Sequence, residues 1–142
     1  MCTGIKINYE DGCVLARTMD YEIPLKYNVI YLPKNYKYCS DLTDRPLYSK
    51  FRNLGLCFEN RDSLKDGINE HGLMGITNDF SGFNLYDNKV EAEIINISSL
   101  YYLNYALCGF LKIYEYSEGL QLILLQICSL KGHNSGNINL KY

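Results

Sequence analysis

Residues 1–20 read Met1-Cys2-Thr3-Gly4-Ile5-Lys6-Ile7-Asn8-Tyr9-Glu10-Asp11-Gly12-Cys13-Val14-Leu15-Ala16-Arg17-Thr18-Met19-Asp20. The segments 3–8 and 13–18 read as two strands around Tyr9-Glu10-Asp11-Gly12, because Asp-Gly between alternating runs signals a hairpin. With that loop, Asn8 faces Cys13 and Gly4 faces Arg17. Side chains alternate along a strand, so Arg17 then falls on the same face as Cys2. A loop one residue longer would flip that parity.

The pairing matters because of what sits at position 2. Methionine aminopeptidase removes Met1 when the next residue is small, and cysteine qualifies. The product would carry a thiol and a free α-amine on one residue. An unperturbed α-amine has a pKa of about 7.7–8.0, so it is partly neutral near pH 7 and can take the thiol's proton. No histidine is needed, which suits a chain with two. Arg17 beside Cys2 would favour the thiolate. Asp20, just past the strand, would accept hydrogen bonds from the amine. The bland alternative is a chance Cys2 and a surface Arg–Asp pair of little energetic weight.

Further along, strands are expected at 28–33, 54–58 and within 73–80, with a short one around 91–95. Residues 34–50 read as polar and turn-rich, Asp66-Gly67 as a turn, and Arg61 to Glu70 as a solvated charged loop. Asn69 and Glu70 read as residues that shape a hairpin. Ser98 or Ser99 is placed to N-cap a helix running to about Phe110. Its face Leu100, Leu103, Leu107 and Phe110 or Leu111 is a packing stripe. A second helix is expected over 117–130, and a frayed polar tail over 131–142 that includes His133. Strands first and helices later give an α+β chain, with helices packed on a largely antiparallel sheet.

Composition narrows the function classes. The chain has 142 residues, a formal net charge of −2, 47% hydrophobic and 21% charged residues. That suits a single domain over 1–142 of ordinary globular character. No basic stripe suggests a nucleic-acid partner. The longest apolar run, Leu120 to Leu130, is short of the roughly 20 residues that cross a bilayer, and the start lacks a signal-peptide pattern. A cytoplasmic location is therefore expected, with no membrane partner and reduced thiols at Cys2, Cys13, Cys39, Cys57, Cys108 and Cys128. Cys13, Cys57, Cys108 and Cys128 read as core thiols. With no CxxC pair and two histidines, no zinc or other metal site and no cofactor is expected. The 14 tyrosines carry no assigned chemistry.

Four ordered motifs carry a resemblance. Met1-Cys2-Thr3-Gly4 with Ala16-Arg17-Thr18-Met19-Asp20 is similar to the start of the choloylglycine hydrolase family, the bile salt hydrolases and penicillin V acylases. Val29 to Tyr36, with Pro33-Lys34-Asn35-Tyr36, resembles that family's strand ending in Pro-Arg-Asn-Tyr. Asp66-Gly67-Ile68-Asn69-Glu70-His71-Gly72-Leu73 resembles its Asp-Gly-x-Asn-Glu-x-Gly-Leu segment. The similarity covers residues 1–83 and fades beyond about residue 95. It implies the front portion of a four-layer αββα sandwich. It implies hydrolysis of linear amide C–N bonds by an N-terminal nucleophile, with Cys2, Arg17 and Asp20 as catalytic residues. The implied substrate is a small-molecule amide, either a conjugated bile salt or an acyl amide such as penicillin V.

The pattern also breaks. Family members carry an oxyanion-hole residue after Gly72-Leu73. Alignment on Phe80 and Gly82 puts Asp79 there, whereas Asn78 is the residue whose chemistry fits, since a carboxylate repels a developing oxyanion. Full-length relatives run to more than twice this length, and their second oxyanion-hole Asn and a further Arg have no match after residue 95. The alternative to an enzyme is therefore a non-catalytic remnant that keeps the front of the fold. A sandwich cut midway would leave an apolar sheet face uncovered and favour a homo-oligomer.

Overall fold

The computed structural model describes residues 2–21, 24–59, 61–78, 90, 95–111 and 137–139. In chain order these form β1 (Gly4–Tyr9), β2 (Gly12–Arg17), β3 (Tyr27–Leu32), β4 (Lys37–Ser40), β5 (Pro46–Tyr48), β6 (Asn53–Phe58), β7 (Leu64–Asn69), β8 (Met74–Ile76) and β9 (Asn96–Ser98). A 3₁₀ turn (Ser99–Tyr101) leads into α1 (Tyr102–Gly109), and β10 (Asn137–Asn139) pairs back onto β9.

β1 and β2 make the expected hairpin in the expected register, with Gly4 opposite Arg17 and Asn8 opposite Cys13. The central sheet has the order β3-β6-β7-β8, every pair antiparallel. Its register stacks three glycines in one row across the strands, Gly55 opposite Gly67 and Gly67 opposite Gly75. α1 lies on that row. A Cβ on Gly67 would stand 2.9 Å from the Leu54 carbonyl oxygen and 3.3 Å from Leu107 Cδ1, and one on Gly75 would overlap Leu103 Cδ1. The bare row lets Leu103 and Leu107, 0% and 1% exposed, press against the sheet.

Two buried amides fix the helix along the strands. Asn104 accepts from the Leu64 amide at 2.8 Å and donates to the Asp62 carbonyl at 2.7 Å. Asn69 donates to the carbonyls of Leu107 and Phe110, while its Oδ1 accepts the amides of His71 and Leu73. Asn69 thus shapes the β7–β8 hairpin, as expected, and ties it to the end of α1. Gly72 completes that turn with φ at 81°. Glu70 pairs with Arg52 and Lys34, and the hydrogen bonds from Arg52 hold its carboxyl at about 2.

Alternation turns the neighbours of the glycine row to the opposite face of the sheet. Tyr31, Leu54 and Ile68 form one row there, 56%, 50% and 39% exposed. The next row holds Val29, Leu56, Asp66 and Ile76. Tyr31, Leu54, Ile68 and Val29 are exposed on this face, whereas Ile76 is buried at 5% exposure.

Several sequence expectations need correction. Asp66-Gly67 lies inside β7, so Arg61 to Glu70 is not simply a solvated loop. Gly67 is there because α1 packs over it, a tertiary reason that a dipeptide cannot reveal. The β6–β7 turn falls instead at Glu59, with φ at 55°. Residues 34–50 contain the paired strands β4 and β5. Asn137–Asn139 is a strand rather than part of a frayed tail. The short strand begins at Asn96, and residues 91–94 lie outside the described residues, as do the 117–130 helix, Cys128 and His133. Ser98 caps the 3₁₀ turn, accepting from the Leu100 amide at 3.4 Å, whereas α1 itself starts after Tyr101 with no side-chain cap. Leu103 and Leu107 pack as expected, but Phe110 and Leu111 stand 39% and 51% exposed. Cys57 and Cys108 are buried; Cys13 is only partly so.

Two predictions follow from packing and charge. Gly67→Ala lowers unfolding stability by about 1–3 kcal/mol, because the new methyl must displace both backbone and Leu107. Gly109→Ala, with nothing within 4 Å, is neutral or slightly stabilising. Urea unfolding of the two variants checks this, and equal midpoints would contradict it. The second concerns Asp41, 3% exposed, which holds the β4–β5 turn. Its Oδ1 accepts from the Thr43 amide and hydroxyl and the Arg45 amide, and its Oδ2 accepts from the Arg45 guanidinium. Burial opposes the charge, but these bonds outweigh it and hold the carboxyl down at about 2. A depressed carboxyl stabilises the fold above its unfolded value of about 4, and that stability is lost as pH falls towards 2. Asp41→Asn therefore costs on the order of 2 kcal/mol at pH 7 and flattens the acid loss between about pH 4 and 2. Parallel melting-temperature profiles of the two proteins would contradict it.

Candidate active site

Cys2 lies two residues before the start of β1 at Gly4, the residue paired with Arg17, so alternation gives it the parity of the hairpin face that carries Arg17. Thr18 donates its amide to the Thr3 carbonyl at 2.9 Å, and Thr3 donates to Thr18 Oγ1 at 2.9 Å, so pairing continues past the ends of the strands. Cys2 and Arg17 are thus diagonal neighbours across two strands, a separation long side chains bridge. Cys2 is 8% exposed, so a terminal position has not left its thiol open to water. Cys13 and Cys39 are both more exposed than Cys2.

Arg17 leaves the hairpin and enters the central sheet. Its side chain is 4% exposed. Nη1 donates to the Thr77 carbonyl just past β8, and Nη2 lies 3.5 Å from Met19 Sδ. Nε stands 3.2 Å from Asp66 Oδ2 on β7, close enough for an ion pair but not aligned as a hydrogen bond. Burial pushes the Asp66 carboxyl up, and the Arg17 charge pulls against that shift. Breaking so enclosed a pair by removing one partner costs about 3–5 kcal/mol, since it strands a charge away from water.

Asp20 stands at the open end of the hairpin. Its carboxyl is held below its ordinary value by the chain's N-terminal ammonium, through a hydrogen bond first and charge second. Two tyrosines complete the surroundings. Tyr21 and Tyr27 share a hydrogen bond, and both sense the charges of Cys2 and Arg17. Burial, then the Tyr27 and Cys2 charges, push the Tyr21 hydroxyl up to about 12, so it keeps its proton at neutral pH. Tyr27 is braced by Phe58, edge-on at 6.1 Å.

Asn78 follows Thr77 directly. It is 4% exposed, and its Oδ1 is buried with no hydrogen-bond partner. A buried acceptor left without a donor costs about 1–3 kcal/mol. Asp79, the other oxyanion candidate, lies outside the described residues. Arg17 thus meets Asp66 and the carbonyl of Thr77, the residue before Asn78, and Tyr21 and Tyr27 lie within electrostatic reach of both Cys2 and Arg17. Sequence reasoning missed Asp66, Thr77, Tyr21 and Tyr27. Asp66 was hidden by its turn-like Asp-Gly context, and a backbone carbonyl such as that of Thr77 has no sequence signature. Among the described residues there is no cluster of three or more His, Cys, Asp or Glu placed for a metal ion, and no helix long and apolar enough to cross a membrane.

Known proteins match this chain in sequence and fold. A bile salt hydrolase/transferase of Clostridium perfringens is 29% identical over 124 residues, covering 85% of this chain and 38% of that protein. A solved structure of a conjugated bile acid hydrolase from Clostridium perfringens, with cysteine replaced by alanine, superposes with a TM-score of 0.69 at 25% identity, covering 92% of this chain and 39% of that one. A variant with arginine replaced by leucine gives 0.68 at 22% identity, over 96% and 43% of the two chains. This chain thus spans well under half the length of these relatives. The front portion of the N-terminal-nucleophile fold is accordingly the fold found here. The model of the linear amide C–N hydrolases, choloylglycine hydrolase family, matches residues 2–132, and the chain belongs to that family.

Proposed function

We propose that this chain carries the nucleophile side of an amide hydrolase, with Cys2 attacking the acyl carbon of a linear amide. The observation that carries this reading is the enclosure of both Cys2 and Arg17, whose hairpin register gives them one parity. Removal of Met1 frees the amine of Cys2 to act as the base. The neutral amine takes the thiol proton, and the sulfur attacks the carbonyl. Arg17 stabilises the charge on the sulfur. The C–N bond then breaks, the amine's proton passes to the departing nitrogen, and water hydrolyses the remaining thioester. Asn78 is proposed for the oxyanion through its Nδ2 donor, since it is buried directly after Thr77, whose carbonyl holds Arg17. Tyr21, protonated and 44% exposed, is proposed as a hydrogen-bond donor to the substrate.

Conjugated bile salts are the first substrate class to test, as the relative at 29% identity is a bile salt hydrolase/transferase. Penicillin V-type acyl amides are the second. The chain spans 38% of that relative, so a second oxyanion donor from further along the fold is not supplied by a matched residue. Losing one such donor costs about 10²–10³ in rate. Slow turnover, or binding without turnover, is therefore the form of activity proposed for these 142 residues alone.

Two measurements check this. Intact-mass analysis shows the mature chain beginning at Cys2; a chain retaining Met1 would have a blocked amine, and the mechanism would not apply. Glycine release from glycocholate, or phenoxyacetate release from penicillin V, is at least about 10²-fold slower than for a full-length relative and is abolished in Cys2→Ala. Release that survives Cys2→Ala contradicts the assignment of the nucleophile.

A further inference from the structure

We infer that Asp66 is a positioning residue for the Cys2 reaction, acting through its ion pair with Arg17. The inference rests on the reading of Cys2 as nucleophile and adds a residue that neither the N-terminal motif nor the family match assigns.

Three observations carry it. First, the Arg17 guanidinium is almost fully enclosed, and the Asp66 carboxylate on β7 faces its Nε at 3.2 Å. Second, Asp66 is itself rigidly placed. It sits mid-strand between Leu56 and Ile76 in the ladder, and its carboxylate also accepts the Leu56 amide. Third, the pair crosses between separate sheets, since β2 belongs to the hairpin and β7 to the four-stranded sheet. The Thr77 carbonyl fixes one end of the guanidinium and Asp66 fixes its flank. The plane of the cation is thereby set relative to the sheet, and the hairpin that bears Cys2 is set with it.

Two consequences of losing the carboxylate compete. An uncompensated Arg17 would present more positive charge to Cys2 if it stayed in place. It would not stay, because an enclosed cation without a carboxylate partner gains by moving out to water. The cation then withdraws from Cys2, and the charge developing on the sulfur loses its stabilisation.

The test is a double-mutant cycle on the alkylation rate of Cys2 in the full chain, using limiting iodoacetamide and peptide mapping. Asp66→Asn is expected to slow Cys2 labelling about fivefold or more, Arg17→Ala to slow it similarly, and the double variant to be no slower than either single one, since residues acting as a unit are not additive. Cys13 is the internal reference at the far end of the hairpin, and labelling of the buried Cys57 and Cys108 reports any loss of fold. A purely structural role for Asp66 would instead give additive losses, and additive losses overturn the inference. Wild-type labelling in Asp66→Asn with slow labelling in Arg17→Ala also overturns it, while leaving the Arg17 reading intact. If neither variant changes the rate, both the inference and the role of Arg17 beside Cys2 fall. Should Asp66→Asn not fold, Asp66→Glu takes its place. Its longer stem displaces the guanidinium and is expected to slow labelling, and labelling at the wild-type rate overturns the inference.

Discussion

Arg17 is a buried cation shared by two pieces of sheet, and the geometry of the candidate site depends on how that cation is held. An enclosed guanidinium must find partners for its donors and its charge. Here they are a carbonyl after β8 and a carboxylate on β7, both outside the hairpin that bears the arginine. Satisfying Arg17 therefore docks the hairpin, and docking the hairpin brings Cys2 to the sheet. A misplacement of even 1 Å at a reacting centre is worth about 10² in rate, so a tie of this kind bears directly on chemistry.

The sheet can serve as that anchor because its other face is closed. The glycine row Gly55–Gly67–Gly75 lets α1 sit directly on the strands, and Asn69 and Asn104 lock its position along them. Polar chemistry is thereby confined to the opposite face. There it meets an apolar row, Tyr31–Leu54–Ile68, immediately beside Asp66 and Ile76.

Much of this was legible in the sequence where the information is local. The hairpin register follows from Asp11-Gly12 and strict alternation, and it puts Cys2 and Arg17 on one face without any tertiary knowledge. The cap at Ser98 and the Leu103–Leu107 stripe are likewise local. What could not be read was long-range. Gly67 looks like a turn residue until α1 is placed over it, and Asp66 looks like its turn partner until Arg17 arrives from some 50 positions upstream. The enclosure of Cys2 was also hidden, because a chain terminus reads as exposed until its neighbours are known. That enclosure reverses the simplest reason for expecting Cys2 to be the most reactive thiol. Any selectivity for Cys2 must come from Arg17 and the amine rather than from access.

This sets the most direct test of the central claim, that Cys2 is the thiol built to attack an acyl carbon. The measurement is intact-mass and peptide mapping after treatment with a cholyl or phenoxyacetyl fluoromethyl ketone, in which the sulfur displaces fluoride and remains attached. Access alone favours Cys13 and Cys39, both more exposed than Cys2. The account predicts a single adduct on the peptide that begins at Cys2, with Cys13 and Cys39 unmodified. Labelling of Cys13 or Cys39 at an equal or higher rate would contradict it.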